Sequence, residues 1–251
     1  MNRLVGFGLL IFLMAAVAWL LLRTSTRPAT VNAAAAASLR PSMEEIVAAY
    51  RRDTGRTVTV QYGGSEELLA QVRLPAGERN FDLYIPADES YLTDLAPQAI
   101  QALGTMKAVV LFRPSKPIES WTDLTATGRR LALAEPTSAA IGKLTKAKLE
   151  SSGRWLELAV RVVVHTDTVT HSGNAVKLGT VDAAIVWDAV AVGQFPDLPR
   201  VSLPELDGIT ANVVAARLTI GTESEAFWNF LTTDERCREV LKRQGFAEPS
   251  R

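Results

Sequence analysis

Residues 34–42 read Ala34-Ala35-Ala36-Ala37-Ser38-Leu39-Arg40-Pro41-Ser42, and the rest of the chain is organised around them. Small apolar residues lead into Ser38, and apolar residues then recur at i, i+3, i+4 and i+7 from Met43, which is typical of one helix face. The pattern predicts a buried strand over residues 31–37 that ends on a helix N-terminus, with Ser38 at or near the cap. Such a junction offers free backbone N–H groups and the positive end of a helix dipole, so it is an uncharged site for an anion.

A second junction of the same kind follows at Gly63-Gly64-Ser65. Val58 and Val60 alternate with polar residues before it, as in a strand, and an apolar helical face comes after it. Serine is also an ordinary helix cap, so each serine taken alone has a purely structural explanation. Because both follow strands of one sheet, we predict that Ser38 and Ser65 face each other across a cleft and hold one oxyanion.

The composition argues against several classes of function. The 251 residues are 47% hydrophobic, enough for one large domain or two small lobes, and 27 basic residues balance 27 acidic ones. A net charge of zero without a dense basic stripe gives no sign of a nucleic-acid partner. Cys237 is the lone cysteine, and His165 and His171 lack a metal-binding spacing. No cofactor fingerprint or nucleophile–base pair is apparent, so we predict no metal ion, no cofactor and no enzymatic activity.

Residues 1–30 are predicted to be a membrane anchor or signal segment followed by a short linker. Residues 4–22 contain no charge, which is about the length that spans a bilayer as a helix and longer than the usual signal core. Ala16-Val17-Ala18 has the form of a cleavage site, but cutting there would leave an exposed apolar start. We therefore predict an N-terminal hydrophobic helix that tethers the protein at the periplasmic or extracytoplasmic face. The alternative is a cleaved signal and a soluble periplasmic protein.

Short strands and helices alternate along the rest of the chain. A strand is expected at 81–85 and a helix opening at 87–90, and after an apolar strand at 107–112 the alternation restarts. The expected later elements are a strand at 213–220 and helices at 172–178, 224–231 and 234–243. Such alternation implies parallel strands with helices on the sheet faces, and right-handed crossovers bring every strand-to-helix turn to one sheet edge.

The two blocks of alternating elements predict two lobes. A late strand and two closing helices are too little for a third domain, so we expect them to return to the first block. Lobe 1 is then residues 31–106 with 212–251, and lobe 2 is residues 107–211. Segments near 105–113 and 208–220 would form the hinge of a clamp that closes on its ligand. No internal repeat is evident.

A series of short motifs extends over most of the chain after residue 30. They are Ala35-Ala36-Ala37-Ser38-Leu39, Gly63-Gly64-Ser65 with Leu68, Phe81-Asp82-Leu83-Tyr84-Ile85-Pro86-Ala87-Asp88, Trp121-Thr122-Asp123-Leu124, Gly153-Arg154-Trp155 and Gly179-Thr180-Val181-Asp182-Ala183-Ala184-Ile185-Val186-Trp187. In order and spacing they resemble the periplasmic molybdate-binding proteins of ABC transporters, a branch of the type II solute-binding proteins. The resemblance implies an α/β fold of the two-lobed periplasmic-binding-protein type, a clamp in which each lobe is a mixed sheet flanked by helices.

The resemblance also implies a set of ligand-binding residues. In this family the oxyanion is held without salt bridges, by two serine hydroxyls, backbone N–H groups and a tyrosine hydroxyl. The matching positions are Ser38 and Ser65 for the hydroxyls, Ile141 and Ala175 for backbone donors, and Trp187 for the tyrosine. The indole of Trp187 still offers one N–H donor. Asp188, directly after it, would repel a dianion if its side chain pointed into the cleft.

We therefore predict an extracytoplasmic solute-binding protein, monomeric, that captures a molybdate-like or tungstate-like oxyanion between its lobes for delivery to an ABC permease. A site of donors alone suits a fully deprotonated anion and selects against hydrogen phosphate, which would need an acceptor. The alternative is a membrane-tethered sensing or scavenging module of the same fold that is not coupled to a transporter, which the apolar segment at 4–22 motivates.

Overall fold

The structure is a computed structural model, and it describes residues 30–75, 78 and 80–249. The predicted N-terminal anchor lies outside these residues. Within the described part of the chain, no helix is both long enough and apolar enough to cross a membrane.

Strands and helices alternate from the first described residues onward. The strands are β1 (Val31–Ala36), β2 (Val58–Gly63), β3 (Leu83–Ile85), β4 (Ala99–Phe112), β5 (Leu131–Ala134), β6 (Val162–Thr166), β7 (Ala183–Trp187), β8 (Arg200–Val201) and β9 (Thr210–Arg217). The helices are α1 (Arg40–Thr54), α2 (Ser65–Val72), α3 (Trp121–Thr125), α4 (Ala140–Ser151), α5 (Trp155–Ala159), α6 (Val169–Lys177), α7 (Asp188–Gln194), α8 (Thr222–Thr233) and α9 (Glu235–Arg243).

One mixed sheet runs through the molecule in the order β2-β1-β3-β9-β4-β7-β5-β6, with β8 beside β4. β1 pairs in parallel with β2 and β3, and β5 pairs in parallel with β6 and β7. β9 and β4 run antiparallel to these neighbours and to each other. Read inward from either end, the sheet therefore shows the same pattern: three parallel strands (β2, β1, β3 or β6, β5, β7) and then one antiparallel strand (β9 or β4). The prediction of an α/β fold with mixed sheets flanked by helices is confirmed.

Strand β4 carries the chain from one part of the sheet to the other. It pairs with β9 from Ala99 to Lys107 and with β7 from Ala108 to Phe112, so it exchanges partners between Lys107 and Ala108. We call β2, β1, β3 and β9 with their helices the first half, and β7, β5 and β6 with theirs the second half. Helix α8 lies in the first half, where the ring of Phe227 meets that of Tyr50 in α1 at 5.1 Å.

Several elements differ from the sequence predictions. Strand β4 begins at Ala99 rather than at 107, and β9 covers Thr210–Arg217 rather than 213–220. Residues 87–90 do not open an α-helix, because the chain makes only one 3₁₀ turn at Glu89–Leu92. Helix α6 begins at Val169 rather than at 172, because the Thr168 side chain caps it by accepting a hydrogen bond from the backbone N–H of His171 at 3.3 Å. The earlier start of α6 matters for the site described next.

Candidate functional site

A small cavity lies where strand ends of the two halves face each other. The carboxyl ends of β1, β2 and β3 meet those of β5, β6 and β7 there, which is the edge at which open α/β sheets bind ligands. Its lining residues are Ala36, Ala37, Ser38, Gly63, Gly64, Ser65, Ala87, Ala139, Ala140, Ile141, Thr168, Val169 and Trp187. Its volume is about 20 Å³, little more than the roughly 10–15 Å³ that one water molecule requires. The cavity therefore suits a single small ion.

The potential in the cavity comes from backbone groups and not from charged side chains. None of the described lining residues is ionisable near neutral pH. The helical turn leading into α1 and helices α2, α4 and α6 all begin at the cavity. The first N–H groups of a helix lack intrahelical partners, and the helix dipole is positive at that end. The arrangement can therefore attract and hold an anion.

Ser38 lies in the helical turn before α1, and its hydroxyl is unused. The residue is only 4% exposed, and its Oγ has no hydrogen-bond partner among the described residues. Ser38 does not cap the helix, because Ala36 occupies the cap position of that turn and no side-chain cap bond forms. The explanation of Ser38 as an ordinary cap is therefore wrong. A buried polar group without a partner is costly, and because Ser38 lines the cavity its hydroxyl is available to donate there.

Ser65 is the first residue of α2 and is held by two neighbours. Its Oγ accepts a hydrogen bond from the backbone N–H of Ala87 at 3.1 Å, and its carbonyl oxygen accepts one from the Tyr84 hydroxyl at 2.7 Å. Burial raises the pKa of Tyr84, so this phenol remains a donor. The Oγ of Ser65 is thus used as an acceptor, and its own proton is left to donate into the cavity.

The structure brings four of the five sequence-predicted site residues together. Ser38, Ser65, Ile141 and Trp187 all line the cavity. Ala175 does not, because it lies within α6 and not at its start. Thr168 and Val169, where α6 begins, line the cavity instead and were missed. The signal that would have found them is Thr168 itself, a good cap residue directly before the helix.

Asp188 does not line the cavity. Its Oδ1 accepts hydrogen bonds from the backbone N–H groups of Lys107 at 2.9 Å and Ala189 at 2.8 Å. Burial is the main cause that raises the pKa of Asp188, and these N–H groups act in the opposite direction. The carboxylate therefore holds the crossing strand β4.

The two halves touch at the rim of the cavity. The backbone N–H of Glu66 donates to the carbonyl oxygen of Ser138 at 3.2 Å. The Thr170 hydroxyl and the Gln194 amide each lie 3.4 Å from the carbonyl oxygen of Ala37 and donate to it. These contacts occupy carbonyl acceptors at the rim, so the groups left to meet a ligand are mostly donors.

A larger groove of about 660 Å³ lies elsewhere, along α1 and β2. Its walls combine apolar side chains such as Val47 and Val60 with Arg51 and Arg52. No helix in the described part of the chain begins at this groove, which sets it apart from the small cavity with its converging N–H groups.

Comparison with known proteins establishes the family. The model of the bacterial extracellular solute-binding protein family matches residues 31–247. The match covers most of the chain, so the protein belongs to this family. Members of the family bind solutes and are not classed as enzymes.

Individual relatives agree with this assignment. A Haemophilus influenzae protein, named only for a binding role, is 31% identical over 180 residues, which cover 69% of this chain and 72% of the relative. The molybdate-binding protein ModA of Escherichia coli is 24% identical over 235 residues, which cover 84% of this chain and 86% of ModA. The solved periplasmic molybdate-binding protein of Azotobacter vinelandii has a TM-score of 0.74 at 17% identity and covers 88% of this chain and 100% of its own. Structures with the same fold also bind sulfate, iron or thiamin, so the fold alone does not decide the ligand.

Proposed function

We propose that this protein captures a fully deprotonated tetrahedral oxyanion, of the molybdate or tungstate kind, between two lobes. The observation that supports the proposal is the cavity at six strand ends, lined by two serines and several helix N-termini and, among the described residues, by no ionisable side chain. Ser38, Ser65 and the first N–H groups of α2, α4 and α6 would donate to the anion. The indole N–H of Trp187 would add one donor from the second half.

The chemistry of the lining argues against the other ligands found with this fold. An iron ion would require ligands such as carboxylates, imidazoles or thiolates, and the described residues contain no cluster of histidine, cysteine, aspartate and glutamate that could hold a metal ion. An organic ligand would require a pocket of roughly 300–1,000 Å³, whereas this cavity has about 20 Å³. A small anion satisfies both constraints.

The protonation state of the anion follows from the same lining. Ser65 Oγ already accepts from Ala87, and the carbonyl oxygen of Ala37 already accepts from Thr170 and Gln194. A proton carried by the ligand would therefore meet mostly donors among the described residues, and a Ser38 hydroxyl that accepted this proton could not also donate to the anion. The site then favours molybdate, tungstate or sulfate over hydrogen phosphate.

Binding would involve closure of two lobes, residues 31–106 with 212–251 and residues 107–211. The exchange of β4 partners between Lys107 and Ala108 supports a hinge at this boundary. Closure would add the donors of α4 and α6 to those of the first half and expel water. The closed protein, as a monomer, would dock on an ABC permease at the extracytoplasmic face and release the anion to it.

A second role for the same site is a tethered sensing or scavenging module without a permease. The uncharged run at residues 4–22, which lies outside the described residues, is the observation that favours it. Transport of molybdate by cells that carry or lack this protein would distinguish the two roles, because only the import role requires it for uptake.

Calorimetric titration tests the ligand. The purified protein is titrated with molybdate, tungstate, sulfate and phosphate at pH 7. We expect saturable binding of at least one fully deprotonated anion and none of phosphate. Tight binding of phosphate, or the absence of binding for all four ions, would contradict the proposal.

A further inference from the structure

Gly64 lies where the two halves come into contact. It is buried between β2 and α2, and a Cβ atom built on it would lie 2.6 Å from the carbonyl oxygen of Ser138 and 3.1 Å from that of Asp167. Both of these oxygens belong to the second half, in the loops before α4 and α6. A carbon–oxygen separation of 2.6 Å is well inside ordinary contact, so no side chain fits there.

The backbone of Gly64 does not itself require glycine. Its φ of −67° and ψ of 145° lie in the extended region that any residue adopts. Alanine at this position would therefore cause no strain within the first half. Among the described residues, the atoms nearest to such a Cβ are the two carbonyl oxygens from the second half, and these are backbone atoms that cannot turn aside as a flexible side chain can.

A hydrogen bond between the two halves, next to Gly64, depends on the same close contact. Two residues after Gly64, the N–H of Glu66 donates across the interface to the carbonyl oxygen of Ser138 at 3.2 Å. The oxygen that a Cβ would strike is thus the oxygen that joins the halves. Separating them enough to seat a Cβ would break this bond as well.

We propose that Gly64 sets how closely the two halves approach, and thereby the size of the cavity between them. The inference rests on the proposed function only in that the cavity holds an anion. A Cβ would move the contact from 2.6 Å to about 3.3 Å, the usual carbon–oxygen separation. If the halves separate by the same amount, about 0.7 Å, a hydrogen bond of about 2.9 Å between the anion and the second half becomes too long to form. The donors of α4 and α6 could then no longer reach an anion that Ser38 and Ser65 hold.

Gly64→Ala tests the inference, and Gly221→Ala is the control. Gly221 directly precedes α8 in the first half and does not line the cavity, and a Cβ on it would lie at an ordinary 3.6 Å from Ser224 Oγ. Each full-length protein carries nitroxide labels at Arg52→Cys in α1 and Ala147→Cys in α4, both exposed. Burial raises the pKa of the native Cys237 thiol to about 12, so the labels attach to the introduced cysteines. Distances between labels are measured with and without molybdate and tungstate, next to calorimetry and thermal unfolding of the anion-free proteins.

We expect the wild type and Gly221→Ala to share a short label distance, and Gly64→Ala to remain at a longer one with the same unfolding midpoint as the wild type. Its affinity for any bound anion should fall by about tenfold or more, since losing one hydrogen bond to a charged group already has that effect. Identical distance distributions in Gly64→Ala and the wild type would overturn the inference. So would a large drop in the unfolding midpoint, because glycine would then serve the fold itself. If no anion binds the wild type, the oxyanion proposal fails, and the label distances still decide the role of Gly64.

Discussion

Asp88 and Asp188 occupy equivalent positions in the two halves. Each accepts a hydrogen bond from the backbone of one of the two antiparallel strands, β9 or β4, at the centre of the sheet. Asp88 Oδ2 accepts a hydrogen bond from the backbone N–H of Asn212 in β9 at 3.0 Å. Asp188 Oδ1 accepts one from the N–H of Lys107 in β4 at 2.9 Å. The two aspartates follow β3 and β7, which take the same place in the strand order of each half.

The equivalence extends to a second pair of aspartates. Asp82, just before β3, accepts from the N–H of Asn32 at 2.9 Å, and Asp182, just before β7, accepts from the N–H of Arg130 at 3.0 Å. Each half thus carries two aspartates six positions apart, one on either side of β3 or β7. Their side chains accept hydrogen bonds from the backbone of neighbouring segments. The two halves therefore share a structural repeat that no pattern in the sequence showed.

The first prediction uses the different bonding of Asp88 and Asp188. Asp88 accepts with both oxygens, from Ser90 and Asn212, whereas Asp188 makes both of its bonds with Oδ1. Asparagine keeps one acceptor oxygen, so Asp188→Asn retains its bonds and Asp88→Asn loses one. We expect denaturant unfolding at pH 7 to show a loss of about 1–3 kcal/mol for Asp88→Asn and none for Asp188→Asn.

The pH dependence of the same variants gives an independent check. Burial raises the pKa of Asp188 in the folded protein. The folded state then binds this proton more tightly than the unfolded chain, so the contribution of Asp188 to stability falls as pH rises from about 4, the unfolded pKa, through the folded pKa. Relative to the wild type, Asp188→Asn should therefore gain stability as pH rises through this interval. Parallel pH profiles for the two proteins would contradict this.

The second prediction separates binding from stability at the two serines. Ser38→Ala removes a buried hydroxyl without a partner, so the free protein should be no less stable. Ser65→Ala leaves the buried N–H of Ala87 without its partner, which should cost about 1–3 kcal/mol. Both variants should weaken anion binding by about tenfold or more in calorimetry.

Ser42→Ala is the matched control for Ser38→Ala. Ser42 is also buried with an unpartnered Oγ, but it does not line the cavity. Its replacement should leave anion affinity unchanged. An equal loss of affinity in both variants would show that the effect comes from packing and not from a hydrogen bond to the ligand.

The third prediction concerns Trp187, which is buried and lines the cavity. Trp187→Phe and Trp187→Tyr both shrink the side chain and should lower stability to a similar degree. Only tyrosine restores a polar hydrogen-bond donor. We expect calorimetry to show weak anion binding for Trp187→Phe and stronger binding for Trp187→Tyr. Equal affinities would mean that the indole N–H makes no contact with the anion.

Much of the fold and part of the site followed from the sequence alone. The alternation of apolar strands with amphipathic helices predicted the α/β architecture, because burial imposes a period on each element. The right-handed crossover rule placed Ser38 and Ser65 at one sheet edge, where both line the cavity. The donor character of the site followed from two serines at helix starts.

Only the tertiary structure decided how the second half completes the site. It brought Thr168 and Val169 to the cavity where Ala175 was expected, turned Asp188 toward Lys107, and brought Ser138 against Gly64. The physical reason is that periodicity records which side of an element is buried, whereas these contacts join backbone groups far apart in the chain. Their positions depend on the packing of whole elements, which no local pattern encodes.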